Sequence, residues 1–167
     1  MRVMVSAASK HGATAEIAEV IGEVLGDRGL DTEVRPPDGI ESIDGYDAFV
    51  IGSAVYAGHW LKEAVALIEN HGSFLRNHPV WLFSSGPVGE PPKPEEEPVD
   101  IAHLLDAIGA GEHRVFGGRL DRSRLGFAEK AIVMALRAPE GDFRDWDEIR
   151  AWAAGIAAKL EAPPAAW

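Results

Sequence analysis

The sequence predicts an α/β fold, a doubly wound three-layer sandwich on a five-stranded parallel sheet. Three observations carry this. Short runs rich in Val, Ile and Phe alternate along the whole chain with segments of helical periodicity, the pattern of a parallel sheet with helices on both faces. Two runs, Ala48-Phe49-Val50-Ile51 and Pro79-Val80-Trp81-Leu82-Phe83, are continuously apolar, as strands covered on both sides are. Three runs end in loops of small residues, at positions 9 to 14, 53 to 60 and 84 to 89. Five such strands suit the order 2-1-3-4-5, in which ligands bind beyond the carboxyl ends of the strands, at the switch point between strands 1 and 3. All three loops leave that edge.

Taken in order, Arg2-Val3-Met4-Val5 is too short for a helix and reads as a buried strand. After the first loop, Ile17, Val20, Ile21, Val24 and Leu25 share one helical face, with Glu16, Glu19, Glu23 and Asp27 on the other. Gly29 is a natural helix stop. Residues 30 to 35 alternate as a second strand, and Pro36-Pro37-Asp38-Gly39 forces a turn. The third strand, 48 to 51, ends at Gly52-Ser53; Leu61, Val65 and Ile68 mark a helix over 61 to 70. The fourth strand, 79 to 83, ends at Ser84-Ser85-Gly86, and a loop rich in Pro and Glu runs from 87 to 98. A helix over 99 to 108 precedes a fifth strand over 113 to 120, with Gly117-Gly118 as its bulge. Helices over 123 to 137 and 146 to 160 close the order, and the proline tail at 163 to 167 frays.

A chain of 167 residues forms one domain, 1 to 167, with a sizeable core. It has no Cys, which excludes disulfides, thiolate catalysis and Cys-ligated metals. A net charge of −11 argues against wrapping nucleic acid. It suits solubility, or docking to basic partners as electron carriers do. No apolar run approaches the ~18 residues of a membrane span. The start, Met1-Arg2-Val3, enters a strand without a signal-peptide layout. A cytoplasmic location is the expectation.

The loop Ser9-Lys10-His11-Gly12-Ala13-Thr14 joins a strand end to a helix start. Ser9, Gly12 and Ala13 let the backbone approach a ligand, and the first helical amides have no partner inside the helix. With the helix dipole they make an anion site, to which Ser9 and Thr14 add hydroxyls and Lys10 a charge. The loop lacks both G-x-G-x-x-G and the Gly-Lys-Ser/Thr of nucleotide-triphosphate loops. One Gly among hydroxyls suits a terminal monophosphate held end-on; the alternative is an ordinary strand-to-helix turn.

This loop resembles the phosphate loop of the flavodoxin family, Thr/Ser-x-Thr-Gly-x-Thr, with His11 at the place of a Thr. The stretch Val50-Ile51-Gly52-Ser53-Ala54-Val55-Tyr56-Ala57-Gly58-His59 resembles that family's loop beside the isoalloxazine. The resemblance implies FMN bound non-covalently in a flavodoxin-like sandwich. Its phosphate lies on residues 9 to 14, and its ring is flanked by Ser53, Ala54, Val55, Tyr56, Ala57 and Gly58. The pyrimidine edge then meets Ser85, Gly86, Pro87, Val88 and Gly89. Tyr56 or Trp60 either stacks on such a ring or packs in the core. His59, the one candidate catalytic side chain, would donate to flavin or substrate; the alternative is a surface histidine. The third loop has no aromatic where flavodoxins often carry one. That implies one open ring face, which suits substrate chemistry.

Phe116-Gly117-Gly118-Arg119-Leu120-Asp121 and Asp145-Trp146-Asp147-Glu148-Ile149 resemble the menaquinone-dependent protoporphyrinogen oxidase branch of that family. The branch implies an FMN oxidoreductase with a porphyrin-type substrate and a quinone or other redox partner. The alternatives are a flavodoxin-type electron carrier and a binding module that has lost flavin. No metal is expected: His59 and Glu63 lack a second His, and Glu95-Glu96-Glu97 lacks the spacing of a calcium loop. Ser84-Ser85-Gly86 lacks a nucleophile elbow. Residues 119 to 137 hold Arg119, Arg122, Arg124, Lys130 and Arg137 against Asp121 and Glu129. Leu125, Ala128, Ile132 and Leu136 lie near one helical face, beside Phe127 and Val133. The segment reads either as helix cover on the sheet or as a docking surface for an acidic substrate or an anionic membrane surface.

Overall fold

The computed structural model describes residues 1–56, 58–86, 101–108, 112–120, 125–136 and 141–161. In chain order the elements are β1 (Arg2–Ala8), α1 (Ala13–Asp27), β2 (Asp31–Arg35), β3 (Ala48–Tyr56), β4 (His59–Trp60), α2 (Lys62–Asn70) and α3 (Gly72–Leu75). There follow β5 (Val80–Ser85), α4 (Ile101–Ala107), β6 (Glu112–Phe116), β7 (Arg119–Leu120), α5 (Phe127–Leu136), β8 (Gly141–Asp142) and α6 (Trp146–Glu161). The main sheet runs β2-β1-β3-β5-β6, every neighbouring pair parallel. Counting these five strands alone, that is the predicted order 2-1-3-4-5.

Alternation along the strands sorts the core into two layers. Val3, Val5 and Ala7 face Ile17, Ile21 and Leu25 of α1 and Ile149, Trp152 and Ile156 of α6. Met4 and Ala8 face the other way, with Phe49 and Ile51, onto Ala64, Leu67 and Ile68 of α2 and Leu104 of α4. Each large side chain so buried contributes about 1.5–3 kcal/mol, which makes these two layers the main stabilising term. An aromatic trio pins α6 to the sheet edge. Phe83, Phe116 and Trp152 have ring centroids 5.4–6.0 Å apart at steep interplanar angles. Gly52 sits opposite Phe83 in the sheet, and a Cβ there would stand 2.3 Å from the Phe83 ring. A larger residue at 52 would push that ring out of the trio.

Two expectations are corrected. The stretch 53 to 60 is not simply a loop: β3 runs on to Tyr56 and folds back, with Val55 opposite Trp60 and Tyr56 opposite His59. Gly58, at φ +81°, makes the reversal. The fifth strand stops at Phe116. Gly117-Gly118 is no bulge but the point where the chain leaves the main sheet. Arg119 and Leu120 pair instead with Asp142 and Gly141 in a separate ribbon. Glycine suits position 117 because a Cβ there would lie 2.1 Å from the Phe143 carbonyl oxygen, so the segment before α6 can pack directly on the chain where it leaves the sheet. The described part of the predicted 123 to 137 helix is Phe127–Leu136.

Candidate cofactor site

The first loop turns at Gly12, which caps α1 with φ +89°. A Cβ there would touch nothing within 4 Å, so it is the backbone conformation, not space, that favours glycine. The Gly12 amide donates to Ser9 Oγ at 3.0 Å, and the Glu16 amide makes the first helical bond, to the Gly12 carbonyl. The amides of residues 13 to 15 precede that bond and point out of the helix start. Thr14 is buried in the first turn. Ser9 therefore shapes the turn through its oxygen, and its hydroxyl hydrogen is left to donate.

Two guanidiniums hold the same loop. Arg144, whose side chain is 4% exposed, donates to the Ala13 carbonyl at 3.1 Å and to Glu16 at 2.5 Å. Its Nε and Nη2 grip the Asp142 carboxylate at 2.9 and 2.7 Å, and its plane lies 4.6 Å from the Trp146 ring centroid. The Arg144 hydrogen bonds hold the Asp142 carboxyl below its usual range. Asp142 in turn raises the affinity of Arg144 for its proton, against the effect of burial. Arg119 donates to the His11 carbonyl at 3.2 Å and pairs with Glu16 at 3.4 Å. Arg119 is thus fastened to the first loop rather than standing on a docking face, one of the two readings of residues 119 to 137. Arg122, Arg124 and Arg137 lie outside the described residues.

Lys10 and His11 are turned to a third partner, Glu129 of α5. Lys10 Nζ lies 2.8 Å from Glu129 Oε1, and His11 Nε2 donates to Oε2 at 2.6 Å. The Tyr56 hydroxyl donates to the same Oε2, and the Lys10 ammonium stands 4.5 Å from the Tyr56 ring centroid. Burial pushes the Glu129 carboxyl up, but the hydrogen bonds from Lys10, Tyr56 and His11 outweigh it and bring it to about 2. Burial, then Glu129, raises the Tyr56 hydroxyl well above its ordinary 10.0.

The other two loops meet at the same edge. Ser53 Oγ accepts the Leu61 amide at 2.9 Å and donates to the Ala54 carbonyl, tying the end of β3 to the start of α2. Trp60 is not a ring-stacking residue: it is 4% exposed, and its indole N–H donates to Ser84 Oγ at 2.7 Å. Ser84 Oγ is also 2.7 Å from His113 Nε2. Tyr56, part-buried, is the aromatic left beside the first loop. His59 is exposed on β4. Ser85 Oγ donates to the Gly117 carbonyl at 3.3 Å, and a Cβ on Gly86 would sit 3.3 Å from Val55 Cβ. Ala57, Pro87, Val88 and Gly89 lie outside the described residues. The structure thus joins the first loop to Tyr56, and Val55 to Gly86. Arg144 and Glu129 were missed by sequence reasoning. Glu129 left one signal, an acid within a basic segment; Arg144 left none.

Among the described residues no group of acidic or His side chains has the makings of a metal site. No described helix is long and apolar enough to cross a membrane. What remains is a parallel doubly wound sheet with a left-handed turn and a helix start at its switch point, where ligands of such sheets bind. The model of the flavodoxin domain matches residues 4–147, and the chain belongs to that family. Over 178 aligned residues it is 22% identical to protoporphyrinogen IX dehydrogenase [quinone] of Escherichia coli K12, with 98% of each chain covered. Flavodoxin 1 of Bacillus cereus superposes with a TM-score of 0.66 at 14% identity, covering 97% of this chain and 100% of that one. A flavodoxin of Pseudomonas aeruginosa gives 0.65 at 15% identity, with the same coverage.

The family implies FMN as the cofactor. The donor set fits its phosphate: free helical amides after a left-handed Gly12, a Ser9 hydroxyl, and cationic side chains on either side of the loop.

Proposed function

We propose that this chain is an FMN-dependent oxidoreductase that moves electrons from a porphyrin-type donor to a quinone, the reaction in the name of the E. coli relative. The observation that carries this reading is the similarity to that relative over 98% of both chains, and the helix that meets the first loop adds exposed apolar side chains to it. Phe127 and Met134, two turns apart on α5, are 93% and 69% exposed, while Glu129 of the same helix touches the first loop and Tyr56. At ~100° per residue Phe127 and Met134 lie well round the helix from Glu129 and face away from the loop, which suits a partner or an apolar donor approaching over α5. Flavin supplies the redox chemistry when bound. The chain supplies the rest: amides of residues 13 to 15 and Ser9 for the phosphate, Tyr56 along the ring, and Ser85 and Gly86 at the pyrimidine edge. His59, exposed on β4, is the candidate proton donor to substrate, and Lys130 on α5 adds charge for an acidic group or an anionic surface.

The test is anaerobic. FMN-loaded protein is mixed with protoporphyrinogen and a soluble quinone. Flavin bleaching by the porphyrinogen, followed by quinone reduction, is expected. A second reading, an electron carrier without its own substrate, is favoured by the net charge of −11. Flavin that exchanges electrons with a basic redox protein but not with the porphyrinogen would select it.

A further inference from the structure

One carboxylate occupies the side-chain donors of the phosphate loop. Glu129 takes Lys10 Nζ on one oxygen and His11 Nε2 with the Tyr56 hydroxyl on the other. A carboxylate only accepts, so each of the three groups turns a donor toward it. Its side chain is 13% exposed. Among the described side chains of α5, Phe127, Ala128, Lys130, Ala131 and Met134 are exposed and Glu129 is covered. Through these contacts the carboxylate ties α5 to the first loop and to Tyr56. Its donors lie on the loop whose amides await a phosphate, and two anions so close to one donor set repel each other.

We propose that Glu129 is an internal anion that holds Lys10 and His11 in the cofactor-free chain and gives them up to the FMN phosphate, so that cofactor binding loosens the tie of α5 to the first loop. The inference rests on FMN as the cofactor. The phosphate carries more charge than the carboxylate and meets the helix dipole as well as the two side chains, so the exchange runs in its favour. The exchange weakens FMN binding by the free energy of the Glu129 contacts. It also couples the flavin site to whatever surface α5 covers when docked.

The experiment titrates FMN, riboflavin and inorganic phosphate into wild type, Glu129→Gln and Glu129→Ala, each checked for fold by circular dichroism. Removing the competitor should tighten FMN by about tenfold, within the usual range of site-to-site coupling. Phosphate should tighten likewise and riboflavin should not, because it brings no anion. In wild type, FMN should speed hydrogen exchange of the α5 amides and riboflavin should leave it unchanged; this arm needs no variant. Phosphate tightening in the variants supports the exchange even where FMN binds neither protein, which would count against the cofactor instead. Equal or weaker binding of phosphate and FMN by both variants would overturn it, as would α5 amides better protected with FMN.

Discussion

A Cβ placed on Gly118 would stand 2.8 Å from the Cα of Gly86, so the two backbones touch at the carboxyl edge of the sheet. Gly86 in turn lies against Val55. The exit from β6 therefore lies backbone to backbone on the end of β5, which rests on Val55 of β3. Gly118→Ala must push the third loop away from the other two. A loss of about 1–3 kcal/mol is expected, the usual effect of overpacking, read from urea denaturation. FMN affinity should fall with it. An alanine variant as stable as wild type would mean that the contact is slack.

Arg144→Lys should not rescue Arg144→Ala. The guanidinium serves the Ala13 carbonyl, Glu16 and Asp142 at once and stacks on Trp146, a geometry that an ammonium cannot reproduce. Each variant is expected to lose about 2 kcal/mol of stability, the scale of hydrogen bonds to a charged group whose partners stay solvated. FMN binding should weaken as the first loop loosens. Calorimetry with and without FMN measures both.

Ser84→Ala removes the acceptor of the Trp60 indole. The loss of this buried 2.7 Å hydrogen bond is expected to cost about 1 kcal/mol. The His113 ring loses its contact with Ser84 as well. Chemical denaturation followed by tryptophan fluorescence reports the loss, and a denaturation midpoint equal to wild type would contradict it.

Acid should release Glu129. Its carboxyl sits at about 2 in the folded chain against an ordinary 4.5, so the unfolded chain binds the extra proton. The stability it adds is therefore complete above about pH 4.5 and is lost as pH falls toward 2. The melting-temperature gap between wild type and Glu129→Gln, measured without FMN, should be constant at neutral pH and close over that window. A gap independent of pH would show that the carboxylate is not charged in its bonds.

The parts legible in the sequence were those set by local pattern. Continuous apolar runs such as Ala48 to Ile51 announce strands covered on both faces, and the spacing from Ile17 to Leu25 announces α1. The small-residue turn at Gly12 is local too, since its left-handed conformation is written in one residue. What escaped was long-range. The Ser53 to Tyr56 stretch looks like a loop because its residues are small, yet it stays in the sheet by pairing with β4. Gly117-Gly118 reads as a bulge until Phe143 and Gly86 are seen to press on it. Arg144 meets Ala13 from 131 positions away, and Glu129 meets His11 from 118, with no periodicity to mark either.

The Arg144 clamp also bears on the order of events during synthesis. Residues 9 to 14 leave the ribosome early, but the guanidinium that holds the Ala13 carbonyl is the side chain of residue 144. The nascent chain carries its phosphate turn through most of translation without the clamp. If residues 13 to 15 receive the FMN phosphate, loading is expected only after the ribbon of β7 and β8 has closed, and a ribosome-stalled chain ending before residue 144 should bind FMN more weakly than the released chain.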